Sequence, residues 1–419
     1  MMGRVCSAAA ALSLLAAVAL SVAAVPDSSS AQLPSHCYCA FADGCGAPCA
    51  NYTIAPDCAA STTVTGCVWR DTATQNALAN HTLEFGAPHV YTVAPGVHVA
   101  VGFGLANSVL VEGPDGAFVV DTLESYKAAT AVRAAFEALL APTGKRIVAL
   151  VYTHGHTDHV YGAAAFVDER HAVDVYAHRS LPDTVRDGSL VTGAVYQRSQ
   201  RQFGTYLETG PDGHLNSGIG PGLAYDNSSL LGYVRPTVLY DERLDTRIAG
   251  LNVTLLHTPG ETSDHTFVYL PHARVGLAGD NVYKAFPNLY SIRGTRARSV
   301  RAWFQSLDRI LDFDVDVLVL SHTTPIVGAD TVRSVVRTYR DGIQYVHDQT
   351  LRLMNLGFST EEIIDKVHLP EYLAGHPYLQ EFYGTVPWGV QAVVDYYIGW
   401  FEGRASKLNP LPWREQVRR

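Results

Sequence analysis

The stretch Thr153-His154-Gly155-His156-Thr157-Asp158-His159 decides how this sequence is read. It directly follows the apolar run Ile147–Tyr152, which has the length and composition of a short buried strand. The motif therefore sits on a loop leaving a strand end. His154 and His156 are two apart, so in extended chain their imidazoles project to one side. Neutral imidazoles are good zinc ligands, and Asp158 and His159 are placed to hold a second ion beside the first. The plain alternative is a polar surface turn, but this pattern of residues seldom arises by chance.

Two metal sites need further ligands. Three candidates follow later apolar runs: Glu261 after the turn Thr258-Pro259-Gly260, Asp280 after Val275–Gly279, and His322 after Val317–Ser321. Strand ends are where α/β sheets assemble their sites. Taken singly, each residue reads equally well as a helix cap or a surface polar group. The surrounding body alternates strand and helix. Ser108–Asp121 reads as a hairpin around Gly113-Pro114-Asp115-Gly116, and Lys127–Leu140 as a helix. Strands are expected at Val173–Ala177, Val253–His257, Thr266–Leu270, Val275–Ala278 and Val315–Ser321, with a helix over Arg298–Leu311. The Gly-rich stretch Tyr196–Tyr233 has little periodicity and reads as a long functional loop. Beyond Asp330 the pattern becomes all-helical. Val332, Val336, Tyr339, Ile343, Val346, Thr350 and Leu353 make an apolar seam suited to packing on the body or on another subunit.

The 419 residues carry 40 acidic and 31 basic side chains, a formal charge of −9, with 17% charged and 47% hydrophobic residues. A disordered polyelectrolyte is excluded, and the lack of basic excess argues against a nucleic-acid partner. Met1–Val25 reads as a signal peptide, with Arg4, an Ala/Leu/Val run and small residues at Ala23 and Ala24. No later stretch looks transmembrane, and no stable membrane association is expected. All 7 cysteines stand at or before Cys67. Without Cys6, the six that remain read as three disulfides in an exported chain, with fifteen possible pairings. Sequons at Asn51, Asn80, Asn227 and Asn252 fit the same route. The expected location is secreted or secretory-pathway lumen.

With these residues in view, the sequence resembles the metallo-β-lactamase fold family. The HxHxDH motif, the Thr-Pro-Gly turn, the Gly279-Asp280 pair and the late Ser321-His322 carry the likeness. The wider family usually has His after its turn. Glu261 there resembles instead the zinc alkylsulfatase branch, as do Gly204-Thr205-Tyr206-Leu207, Asn288–Gly294, Leu353–Gly357 and Phe382-Tyr383-Gly384. The resemblance covers about residues 85–412. It implies an αββα sandwich at 85–329 and a helical dimerisation domain at 330–412, behind the signal at 1–25 and a small cysteine-rich segment at 26–75. Two departures stand out. The branch's second acid is usually Glu, where this chain has Asp280. The branch also often carries a sterol-carrier-like domain after its helices, and the sequence ends at Arg419, so a preference for long alkyl chains is not expected.

The resemblance further implies a ligand set for two Zn2+: His154, His156 and Glu261 on one, Asp158, His159 and His322 on the other, and Asp280 between them. Asp158 also enters as a catalytic residue. Arg293 matches the branch's sulfate-contacting arginine, whose planar fork suits tetrahedral oxyanions, and Asn288 is a second candidate for the same pocket. Arg296, Arg298 and Arg301 read as the solvated start of a helix. His265 and His257 read as structural, and the Thr153 hydroxyl as a group that tunes a ligand. The expected activity is metal-activated hydrolysis of a small anionic sulfate ester by a homodimer. The alternative is another ester, a lactone or a β-lactam on the same metals. A recognition protein without turnover is disfavoured by the complete ligand set.

Overall fold

A computed structural model describes residues 72–419 except 168–170, 211–212, 224–229, 402 and 417–419, together with two short strands, Tyr38–Cys39 and Ala47–Pro48. The expected signal peptide, the cysteine side chains and their pairing lie outside the described residues, as do Asn51 and Asn227. The chain divides into two units, 1–72 and 73–419. In the first, the two short strands pair antiparallel.

The second unit is built on two sheets. Seven strands form the first, in chain order: β1 (His89–Ala94), β2 (Val97–Val101), β3 (Ser108–Gly113), β4 (Gly116–Val120), β5 (Ile147–Val151), β6 (Asp174–His178) and β7 (Val238–Tyr240). Pairing is antiparallel up to β4 and parallel from there on. The second sheet holds β8 (Arg243–Ile248), β9 (Leu251–His257), β10 (Thr266–Leu270), β11 (Val275–Leu277), β12 (Val317–Val319) and β13 (Ile326–Val327), with one parallel pair, β11 with β12.

Period-two alternation assigns each strand residue to a face. Phe118 and Val120 of β4 and Ala149 and Val151 of β5 point inward, against Leu255, Val268, Val275 and Val319 of the second sheet. Val119 and Leu150 point outward, against Ala129, Val132 and Phe136 of α2 (Tyr126–Leu140). Both faces of β5 are buried, which is why Ile147–Tyr152 is continuously apolar rather than alternating. The outer face of the second sheet, with Phe267 and Leu318, is covered by Trp303 and Leu307 of a helix at Val300–Leu311. Helices thus cover both sheets, giving the αββα sandwich.

Helices follow in chain order: α1 (Thr72–His81), then α2, α3 (Thr157–Val160), α4 (Leu181–Leu190), α5 (Thr192–Gln202), α6 (Val300–Leu311), α7 (Ala329–Asn355), α8 (Thr360–Lys366), α9 (Glu371–Ala374) and α10 (Val386–Ile398). One differs from the sequence reading. The stretch after Tyr196 begins as helix, because α5 runs to Gln202. None of its residues is buried, so it needs no apolar stripe and shows none. The helical seam packs on the body, one of the two placements open to it: Val332, Val336, Tyr339, Ile343, Val346 and Leu353 share one core with Trp303, Leu307 and Val390. Tyr397, in the last turn of α10, and Trp400, just beyond it, are exposed. Ser359 and Glu362 form a capping box at the start of α8.

An intramolecular seam makes a stability prediction. Ile343→Ala leaves a cavity in the shared core and is expected to cost about 2–5 kcal/mol, measured by denaturant unfolding. A seam that served only a subunit contact would instead change the oligomeric state and leave the unfolding midpoint of the monomer in place.

Candidate metal centre and anion pocket

Four strand-end loops meet at one edge of the sandwich. β5 delivers His154 and His156 and then α3, which carries Asp158 and His159. β9 delivers the turn ending in Glu261, β11 delivers Asp280, and β12 delivers His322. All are buried except His156, which is half-buried.

Their ligand atoms form two groups. Those of His154, His156 and Asp280 lie within 4.8 Å of one another, and so do those of Asp158, His159 and His322. Asp280 joins the groups. One of its oxygens, Oδ2, is 3.1 Å from His322 Nε2 and 3.6 Å from His154 Nε2, and Oδ1 is 3.4 Å from His159 Nε2. Glu261 stands beside the first group, with Oε1 3.8 Å from His156 Nδ1. The donor set is imidazole nitrogen and carboxylate oxygen, as borderline divalent cations such as zinc prefer. His154 Nε2 and His156 Nδ1 face each other at 2.9 Å. His159 Nε2 and Asp280 Oδ1 are buried without a hydrogen-bond partner among the described residues. Lone pairs that converge on one another and on no proton donor fit a cation between them.

The surrounding side chains set the tautomers. Asp121, at the end of β4, adopts a left-handed φ of 59° that Asp tolerates better than most residues. Its carboxylate accepts from Thr153 N at 2.8 Å, Thr153 Oγ1 at 2.7 Å, Ser321 Oγ at 3.1 Å and His159 Nδ1 at 2.8 Å. His322 Nδ1 likewise donates to the Leu105 carbonyl at 2.8 Å. In both rings Nδ1 is committed to an outer acceptor, so Nε2 is the atom turned inward toward Asp280. His265 is structural, as expected: its Nε2 accepts the Asp280 N–H at 3.0 Å. A Cβ on Gly279 would lie 2.4 Å from that nitrogen, and its φ is +56°, so glycine is required there. His257 stacks on His178 and touches no ligand. Asn281 holds the Glu261 turn, accepting from Glu261 N at 3.1 Å and donating to the Thr258 carbonyl at 2.7 Å.

Burial holds His154 and His156 well below the ordinary histidine pKa, helped by His159 for the former and by Arg293 and Arg298 for the latter. Both are therefore neutral, the ligand form. Burial also opposes charge on His159 and His322, but the neighbouring carboxylates, Asp280 foremost, outweigh it and raise both. Burial likewise opposes ionisation of Asp158, yet His159 and His322 hold its carboxyl at about 2. The cluster as a whole demands positive charge.

The anion side of the site lies next to these groups. Arg293 reaches to 3.3 Å between its Nη2 and His156 Nε2. Its turn is held by α5: Gln202 Oε1 accepts from Arg293 N and from Ser291 Oγ, both at 2.9 Å, and Arg198 donates to the Arg293 and Ile292 carbonyls. Arg298 corrects the sequence reading. It is not a solvated helix residue but is 5% exposed, and its Nη1 is 2.6 Å from Glu261 Oε2. Arg296 and Arg301 are exposed as expected. Burial pushes Glu261 up to about 7, against the pull of Arg298. Asn288 is buried, its carbonyl accepts from Arg298, and its N–H donates to the Tyr283 hydroxyl at 2.7 Å. Asn288 Nδ2 and Arg298 Nε and Nη2 are buried donors without an acceptor among the described residues. Tyr383 adds a hydroxyl that feels Glu261, Arg293, Arg298 and Asp158.

Sequence reasoning missed Asp121, Arg298, Gln202 and Tyr383 as parts of the site. Asp121 carried the same signal as the others, an acid at a strand end, but it was absorbed as the end of a hairpin. The other three are placed by contacts far apart in sequence.

Two predictions follow from this geometry. Asp121→Ala removes the acceptor that orients His159 and is expected to lower the affinity of the candidate site for divalent metal by roughly ten- to a hundredfold, read by titration against a competing chelator. Unchanged affinity defeats the orienting role. Arg298→Leu leaves the buried Glu261 carboxylate without its paired cation and is expected to destabilise the fold by about 3–5 kcal/mol. Denaturant unfolding within 1 kcal/mol (roughly the value of an exposed pair) would show that the pair does not compensate buried charge.

Comparison with known proteins agrees with the architecture. A model of the metallo-beta-lactamase superfamily matches residues 101–322, and a model of alkyl sulfatase dimerisation matches residues 359–419. A linear primary-alkylsulfatase from Pseudomonas sp. (strain ATCC 19151) is 40% identical over 317 residues, covering 74% of this chain and 59% of the relative. An alkyl/aryl-sulfatase of Saccharomyces cerevisiae is 28% identical, covering 77% of this chain and 51% of the relative. Among solved structures, a stereoselective inverting sec-alkylsulfatase from Pseudomonas sp. matches with a TM-score of 0.73 at 30% identity, over 78% of this chain and 52% of that one. The chain thus spans only between half and three fifths of the length of these curated relatives. With sandwich, ligand-bearing strand ends and helical tail all in place, the chain belongs to the metallo-beta-lactamase superfamily and carries an alkyl sulfatase dimerisation domain.

Proposed function

We propose that the chain hydrolyses sulfate esters, adding water to give an alcohol and hydrogen sulfate, with two Zn2+ as cofactors. The observation that carries this reading is the set of buried donors beside the ligand groups: Arg298 Nε and Nη2 and Asn288 Nδ2, with Arg293 next to His156. Buried donors without acceptors are costly, and a tetrahedral oxyanion supplies acceptors in several directions. The names of the relatives support the same substrate class. Because net charge is −9, an anion is not drawn in by the protein's overall field and depends on this local cluster.

In this reading His154, His156 and Glu261 would hold one zinc and Asp158, His159 and His322 the other, with Asp280 a ligand available to both. Such ions would supply Lewis acidity, lowering the pKa of water and offsetting charge on the departing sulfate. The protein's own groups do the rest. Arg293 and Asn288 bind and orient the sulfate. Arg298 keeps Glu261 charge-compensated. Asp158 stays a carboxylate and accepts a hydrogen bond from the attacking water. Asp121 and Leu105 hold the His159 and His322 rings with Nε2 facing inward.

The decisive experiment is sulfate release from a panel of alkyl sulfates, with metal quantified. Release abolished by chelator and restored by zinc is expected. No release across the panel, with hydrolysis of a lactone or uncharged ester, would favour the alternative hydrolase. Arg293→Ala is expected to lower kcat/KM on sulfate esters by roughly ten- to a hundredfold, the range for one lost hydrogen bond to a charged group, with metal content unchanged. An equal loss on uncharged esters sinks the sulfate-binding role.

Homodimerisation is proposed from the family match at 359–419 and the exposed Tyr372, Tyr396, Ile398 and Trp400. Export is proposed from residues 1–25, the early cysteines and the exposed sequon residues Asn80 and Asn252. No helix among the described residues is long and apolar enough to cross a membrane.

A further inference from the structure

Gln202 belongs to none of the motifs that mark the site. It is the last residue of α5, a helix that buries none of its residues, and the core anchors the chain at the next residue, Phe203. Its amide makes three hydrogen bonds. Oε1 accepts from the Arg293 backbone N–H and from the Ser291 hydroxyl, each at 2.9 Å, and Nε2 faces the Tyr383 hydroxyl at 3.3 Å.

The orientation of this amide is fixed by chemistry. The Arg293 N–H can only donate, so the oxygen must face it. The nitrogen must then face Tyr383, and an amide nitrogen can only donate. The phenol oxygen is therefore the acceptor in that bond, and its single proton is left for a different partner. Tyr383 is packed between Phe203 and Tyr283, which fixes the ring, and Tyr283 in turn packs edge-on to His322. Burial raises the phenol's pKa, so the proton stays on.

We propose that Gln202 is a positioning residue that sets two donors of the anion pocket at once: it holds the Arg293 turn in place and obliges the Tyr383 hydroxyl to donate into the site. A single amide thereby couples the α5 segment, the turn after Asp280 and the segment after α9. The identity of the acceptor, a sulfate oxygen, rests on the function proposed above.

Gln202→Glu tests this directly. A carboxylate still accepts from Arg293 N–H and Ser291, but it cannot donate to Tyr383, which now donates to it and turns its proton out of the site. Gln202→Glu is therefore expected to match Tyr383→Phe, each losing roughly ten- to a hundredfold in kcat/KM and in affinity for inorganic sulfate measured by calorimetry, the range for one hydrogen bond to a charged group. The double variant is expected to lose no more than either alone, and zinc content and unfolding midpoint are expected to stay unchanged. Additive losses, or a Gln202→Glu variant equal to the unsubstituted chain, overturn the proposal. Should Gln202→Glu fail to fold, Gln202→Met, which removes both roles, must lose at least as much as Tyr383→Phe; retention of full sulfate affinity overturns the proposal. Absence of sulfate-ester turnover in the unsubstituted chain overturns the hydrolase reading instead.

Discussion

Buried negative charge is the constraint on which this structure depends. Asp121, Asp158, Glu261 and Asp280 come from four different loops and are all withdrawn from water at one edge of the sandwich. Carboxylates buried this closely are tolerated only when each is paired or hydrogen-bonded. The chain solves this differently for each. Asp121 is saturated by four donors, Glu261 meets Arg298, and Asp158 and Asp280 face imidazoles that gather positive charge around them. The same arrangement that makes the site costly as bare protein makes it a place for divalent cations.

Compensation also explains the division of labour along the sequence. The sheets supply stiffness, because β4, β5, β11 and β12 are buried on both sides and cannot shift without moving the core. The loops supply ligands. The helical tail does not stand apart: its long helix shares a core with α6, and the segment after α9 brings Tyr383 beside the anion pocket. The proposed anion pocket thereby draws on three regions, α5, the turn after Asp280 and the tail, around the candidate ligand groups that the two sheets position.

Much of this was legible in the sequence. An apolar run with both faces buried, ending in HxHxDH, can be read without a structure because strand period and ligand chemistry are both local. The same holds for Glu261, Asp280 and His322, each following its own apolar run. Helix α5 was hidden because an exposed helix carries no stripe. The helical seam was visible, but sequence could not choose between the body and a second subunit, since both would bury it equally.

The sequence alone carries the local facts: where strands end, which side chains there have the chemistry to bind metal, and where the helices with a buried stripe lie. Only the tertiary structure decided which polar groups meet. Arg298 looks like any arginine before a helix until Glu261 is folded onto it. Asp121 looks like the end of a hairpin until His159 turns its ring toward it. The reason is physical. Strand and helix periodicity follow from neighbours in the chain, whereas charge compensation is decided by whichever group the fold brings within a few ångströms.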